Sequence, residues 1–165
     1  MKPLDLVVNP WGARFMGRHF PCSIGRGGMT AAKREGDGGS PIGTHRIVGM
    51  LYRPDRMLPP AEWAVPIGPC DLWSDDVRAP DYNLMVRAPH PFGHERLSRP
   101  DPLYDLILIT DWNWPDATPG QGSAIFIHTW RKPRHPTAGC VGFSRKNLLW
   151  IAARLRPQSR LILRP

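Results

Sequence analysis

Nine prolines fall between positions 53 and 101 (Pro54, Pro59, Pro60, Pro66, Pro69, Pro80, Pro89, Pro91 and Pro100), and no other feature restricts the fold of the chain as much. Proline carries no backbone N–H and holds φ near one value, so such a stretch supplies neither a central strand nor a helix interior. Residues 53–101 therefore read as a long insertion between strands, ordered coil with at most short strands, pinned onto the body by Trp63 and Trp73. Proline and glycine together make 20 + 16 = 36 of 165 residues, just under the share that marks low-complexity disorder. With 41% hydrophobic residues and seven Trp, the excess belongs to turns in an ordered, loop-rich fold without long helices. At this length, positions 1–165 are expected to form one domain with its own core.

Around the insertion the pattern is mainly β. Residues 4–8 and 14–24 suggest a hairpin turning at 9–12, and residues 44–52 (THRIVGMLY) resume strand character. Residues 103–110 (LYDLILIT) form the most apolar run and the best candidate for a central strand, with 124–129 as its antiparallel neighbour. Ser144 is placed to cap a helix that carries Leu148, Ile151, Ala152 and Leu155 at helical spacing, with Pro157 beyond its end. Residues 160–163 close the chain as a last short strand. Residues 25–43 (GRGGMTAAKREGDGGSPIG) are too polar and glycine-rich to bury much and read as a functional surface loop.

Twenty-two basic against fourteen acidic residues leave a net charge of +8, which favours an anionic partner: nucleic acid, an acidic membrane surface or a carboxylate-rich polymer. The basic residues are scattered, with no run and no nucleic-acid-binding motif, so nucleic acid is not indicated. The N-terminus has no long apolar segment and meets a proline by position 10, so the chain as written reads as soluble and leaderless. A cleaved signal would instead place it in the periplasm or cell wall. No apolar run is long enough to span a bilayer. Cys22, Cys70 and Cys140 make an odd set without a CxxC pair, which indicates neither a disulfide framework nor a zinc knuckle.

Chemistry concentrates in residues 124–143 (AIFIHTWRKPRHPTAGCVGF), which end one apolar run on His128 and begin another just after Cys140. A thiol and an imidazole at neighbouring strand ends are what cysteine acyl transfer needs, because the thiolate is the nucleophile and a base must take its proton. Gly139 permits the tight turn, and the coming helix together with Arg131, Lys132 and Arg134 is expected to favour the thiolate over a thiol of pKa about 8.5. Cys22 and Cys70 are expected to be small buried hydrophobes. His135, between Arg134 and Pro136, is the alternative base. A zinc site on His128, His135 and Cys140 fits poorly, because no short-range ligand pair is present. Thr137 suits a bond to the turn backbone or to substrate, the backbone role being the commoner. Trp112, Trp114 and Trp130 suit a groove wall and core packing equally.

His128 followed by Thr137-Ala138-Gly139-Cys140-Val141 resembles the signature of the L,D-transpeptidase catalytic domain (YkuD-type) family, in which a His on one strand precedes a [Ser/Thr]-x-Gly-Cys turn. Residues 35–47 (EGDGGSPIGTHRI) are similar to the family's upstream Asp-Gly-x-x-Pro-x-Gly stretch. Tyr104-Asp105, Asn113 and residues 122–126 resemble a compact subgroup with shorter loops. The resemblance implies a YkuD-like β-sandwich or open barrel, with one amphipathic helix after the Cys strand and the proline-rich insertion. It implies acyl transfer on peptidoglycan or muropeptide stem peptides without a cofactor or metal. Cys140 would be the nucleophile and His128 its base, and backbone N–H groups over residues 138–140, Gly139 among them, would bind the oxyanion; Thr137, Ala138, Tyr104 and Trp130 would meet substrate. Hydrolysis by the same site, as an L,D-carboxypeptidase, shares every catalytic residue. The reading from another class is a non-catalytic wall-binding module. The chain departs from the commonest form of the family at Ala138 (His there), at Gly142 (Arg or Asn there) and in a shorter His-to-Cys loop. These departures bear on acceptor choice and substrate grip.

Overall fold

The structure, a computed structural model, describes residues 2–165. The chain opens with β1 (Leu6–Asn9), β2 (Gly12–Phe15) and β3 (Arg18–Phe20), and its glycine-rich stretch holds β4 (Met29–Thr30) and β5 (Ser40–Pro41). After β6 (Gly43–Tyr52), the proline-rich segment contains β7 (Val65–Pro66), β8 (Asp71–Ser74), β9 (Met85–Arg87) and β10 (His94–Arg96). A 3-10 turn (Pro102–Tyr104) leads into β11 (Leu106–Thr110), β12 (Phe126–Thr129), β13 (Val141–Phe143), the helix α1 (Arg145–Ala152) and β14 (Arg160–Leu163). No helix among the described residues is long and apolar enough to cross a membrane.

The main sheet is mixed, in the order β13-β12-β11-β6-β14-β1-β2-β3, with β7 added alongside β6. Its two ends approach each other. Just past β3, Ser23 bridges Gly142 of β13 through paired backbone bonds of 2.8 and 2.9 Å, so the sheet forms a nearly closed barrel. Leu106 and Leu108 of β11 and Ile127 of β12 join Leu6, Val8, Ile47, Val141, Leu161 and Leu163 in the principal core, which α1 enters with Leu148, Ile151 and Ala152. Ile107, Ile109 and Phe126, of opposite parity, point the other way into a second cluster with Trp73, Leu97 and Tyr104. Burial on both faces explains why β11 and β12 are continuous apolar runs without alternation.

The second cluster needs a cover, and the proline-rich segment provides it. Its β10-β8-β9 sheet lays Trp73 edge-on against Phe126, with ring centroids 5.0 Å apart. Asn83, almost fully buried, binds the segment to the body: Oδ1 accepts from Trp73 Nε1 and the Ala124 N–H, and Nδ2 donates to the carbonyls of Trp112 and Asn113. Trp63 packs against the principal core and donates to the Leu155 carbonyl at 3.3 Å. The strands here are short, as the prolines require, but they pair into a sheet of their own.

Three local expectations are corrected. The first hairpin divides again at Met16-Gly17, both at positive φ (48° and 75°), the two-residue turn that matches strand twist. Residues 38–41 of the glycine-rich stretch are buried, because Gly25 and Gly27, without side chains, let their backbone lie against that of residues 37–39. Cys70 is exposed, on the turn leading into β8, whereas Cys22 is buried as expected.

Candidate active site

β12 and β13 run parallel with Ile127 level with Val141 and His128 level with Gly142. Side chains alternate, so His128 and Cys140, offset by two residues along adjacent strands, emerge on the same face. Both line a cavity of about 810 Å³ on the side covered by the proline-rich segment.

Cys140 ends a turn closed by Thr137, whose hydroxyl donates to the Cys140 carbonyl at 2.6 Å and accepts the Gly139 N–H at 3.1 Å. Thr137 thus takes the backbone role while still lining the cavity. Gly139 holds φ at +141°, and a Cβ there would stand 2.9 Å from the Gly39 carbonyl oxygen. The Gly139 carbonyl accepts from Ser40 Oγ at 2.6 Å, and the same Oγ accepts the Gly25 N–H at 2.9 Å. A Cβ on Gly25 would lie only 2.0 Å from the Gly38 oxygen. The glycine-rich stretch is therefore a backbone cradle for the cysteine turn.

The Cys140 sulfur is tucked beneath the strand ends, accepting the Phe126 N–H at 3.4 Å and facing the Ala124 carbonyl at 3.6 Å. Burial pushes its pKa up to about 12, with the Phe126 N–H opposing, the Glu95 charge adding and Lys33 opposing. The expected thiolate bias is thus absent at rest. The helix starts five residues further on, with Ser144 capping the Asn147 N–H, and β13 intervenes.

His128 is 5% exposed, and its Nδ1 lies 2.8 Å from the Thr129 carbonyl. A carbonyl only accepts, so Nδ1 carries the proton and Nε2 is left with its lone pair. Burial, followed by the nearby Arg99 charge, lowers the imidazole pKa and keeps the ring neutral, against the raising effect of the Thr129 bond. Tyr104 stands edge-on to that ring at 5.3 Å and donates its hydroxyl to Glu95 at 2.9 Å. The Arg99 guanidinium lies 5.0 Å over the Tyr104 ring and pairs with Asp101. No hydrogen bond joins His128 to Cys140 among the described residues.

Of the other expected residues, exposed Ala138 and half-buried His135 line the cavity; Trp130, Trp112 and Trp114 do not. Trp130 packs beside Gly142, where a Cβ would stand 3.2 Å from its own. Arg26, Lys33, Glu35, Asp75, Glu95 and Arg99 line the cavity without having been singled out in the sequence. They come from the glycine-rich and proline-rich segments, where no periodicity marks a side chain as facing a site. Lys33 pairs with Asp37 at 2.6 Å, and Glu35 accepts from Tyr82 and the Ser123 N–H.

A barrel-like sheet carrying a cysteine turn and a neutral histidine in one polar cavity is the architecture, and sequence comparison gives it a family. The YkuD family of L,D-transpeptidase catalytic domains matches residues 15–163, and the chain belongs to it. Among solved structures, an L,D-transpeptidase from Mycobacterium smegmatis is similar at 13% identity with a TM-score of 0.46. That alignment covers 98% of this chain and 58% of the other, so the chain spans under two thirds of that protein's length. No curated protein matches the sequence.

Proposed function

We propose that the chain is a cysteine acyltransferase that forms a thioester with peptidoglycan stem peptides. The observation that carries this reading is the orientation of His128: its proton sits on Nδ1, and its unprotonated Nε2 belongs to a ring lining the same cavity as Cys140. As substrate enters, Cys140 gives its proton to Nε2 and the sulfur attacks the carbonyl of the third stem residue. The N–H groups of Ala138 and Cys140 are the oxyanion donors, since that of Gly139 is held by Thr137. The tetrahedral intermediate collapses with cleavage of the C–N bond, the imidazolium protonates the departing D-Ala amine, and a thioester remains. An amine of a second stem then attacks it, giving up its proton to His128 and restoring the thiol. Cationic and anionic side chains together in the cavity suit a substrate that carries both amines and carboxylates.

Incubation with tetrapeptide muropeptides, read by mass spectrometry, tests the reaction. Cross-linked dimers are expected. Tripeptides without dimers would assign the site to L,D-carboxypeptidase hydrolysis instead. A carbapenem is expected to leave a mass adduct on Cys140, lost in His128→Ala; no adduct in the parent protein would favour a non-catalytic wall-binding module. Acylation that persists in His128→Ala and disappears in His135→Ala would transfer the role of base to His135.

A further inference from the structure

A second cavity, of about 610 Å³, opens where the β2-β3 hairpin, the end of β14 and the loop between β12 and β13 meet. Four elements deliver cations or a histidine to it: Arg14 from β2, His19 from β3, Arg134 from the loop and Arg164 from the residue after β14. No Asp or Glu lines it among the described residues. Arg14 and His19 are direct cross-strand partners. Arg134 and Arg164 converge with His19 on a cavity that no carboxylate lines among the described residues, which makes it complementary to anions.

Trp11 completes the groove. Its residue is 74% exposed, held out on a turn that Asn9 fixes by accepting the Trp11 and Gly12 N–H groups, each at 3.0 Å. Arg134, at a left-handed φ of 57°, donates to the Trp11 carbonyl at 3.2 Å and ties this turn to the loop. An open indole face beside guanidinium groups is suited to a sugar ring and to bidentate capture of carboxylates. The same loop then continues as His135, Pro136 and Thr137 into the wall of the catalytic cavity. The two cavities are therefore separated by one short loop.

We propose that this groove is an accessory binding site for a carboxylate-bearing glycopeptide, and that it grips the wall polymer while a stem peptide reacts at Cys140. The proposal rests on the wall polymer being the substrate. Its test is co-sedimentation with purified sacculi, using Cys140→Ala protein so that binding is read without turnover. Adding Trp11→Ala and Arg164→Glu, both at exposed positions, is expected to weaken sacculus binding at least tenfold and to flatten its salt dependence. Amidation of the sacculus carboxylates is expected to weaken the parent protein comparably. Equal binding by parent and variant, or indifference to amidation, overturns the proposal, as does a variant that loses affinity for duplex DNA alone. If Cys140 accepts a carbapenem normally while the groove variant holds sacculi as the parent does, the groove reading fails by itself. If sacculus binding depends on the groove but Cys140 is never acylated, the catalytic reading fails and the groove stands.

Discussion

His128 donates a hydrogen bond from Nδ1 to the Thr129 carbonyl, which leaves Nε2 as the nitrogen free for the proposed role of base. Because burial lowers the His128 pKa, the ring stays unprotonated into mildly acidic solution. The rate of β-lactam acylation of Cys140 against pH should accordingly fall only below about 6.5, the ordinary imidazole value. With the thiol pushed up to about 12, no rise should appear near the usual cysteine value of about 8.5. Stopped-flow fluorescence checks both limbs, and a step near 8.5 would mean that the thiol ionises independently of His128. Gly139 is the other decisive residue, since a side chain there meets the Gly39 carbonyl at a φ that L-residues avoid. Gly139→Ala should cost about 1–3 kcal/mol in denaturant unfolding and slow acylation at least tenfold as the turn shifts. The juxtaposition of Cys140 and His128 on neighbouring strands, and the turn at Gly139, were legible from residue type and spacing. The raised thiol pKa was not, because it follows from what encloses the sulfur.

The strongest elements were legible as well. The apolar run of β11, its antiparallel pairing with β12, and α1 with its Ser144 cap all follow from local pattern. The glycine-rich stretch behaves otherwise: Gly25 and Gly27 are contact points between backbones, a use of glycine that composition cannot distinguish from mobility. Ser40 is the joint of that contact, satisfying both the Gly25 N–H and the Gly139 carbonyl. Ser40→Ala leaves both groups buried without their partner and should cost about 2 kcal/mol. It should also reduce the acylation rate, by loosening the turn that holds Cys140. Thermal unfolding and adduct kinetics measured on the same sample test this; a stable protein with unimpaired acylation would show that the cradle does not position Cys140.

For the whole molecule, the proline-rich segment is a second layer over the outer face of the barrel. Trp73 is its anchor, packed edge-on to Phe126 and bonded to Asn83. Trp73→Ala should lower the unfolding free energy by about 3–5 kcal/mol and weaken substrate binding, because the same segment carries Asp75, Glu95 and Arg99 into the cavity. An equilibrium denaturation series with a muropeptide titration separates the two effects. By itself the sequence determined the β class, the single short helix, the cysteine turn and its histidine, since each rests on residues close together in the chain. Only the tertiary structure decided what surrounds them: the cradle from residues 25–40, the charged wall from the insertion, the neutral thiol, and the basic groove assembled from β2, β3, β14 and the 130–137 loop. Those features depend on which distant segments meet, and burial and charge act through space without regard to distance along the chain.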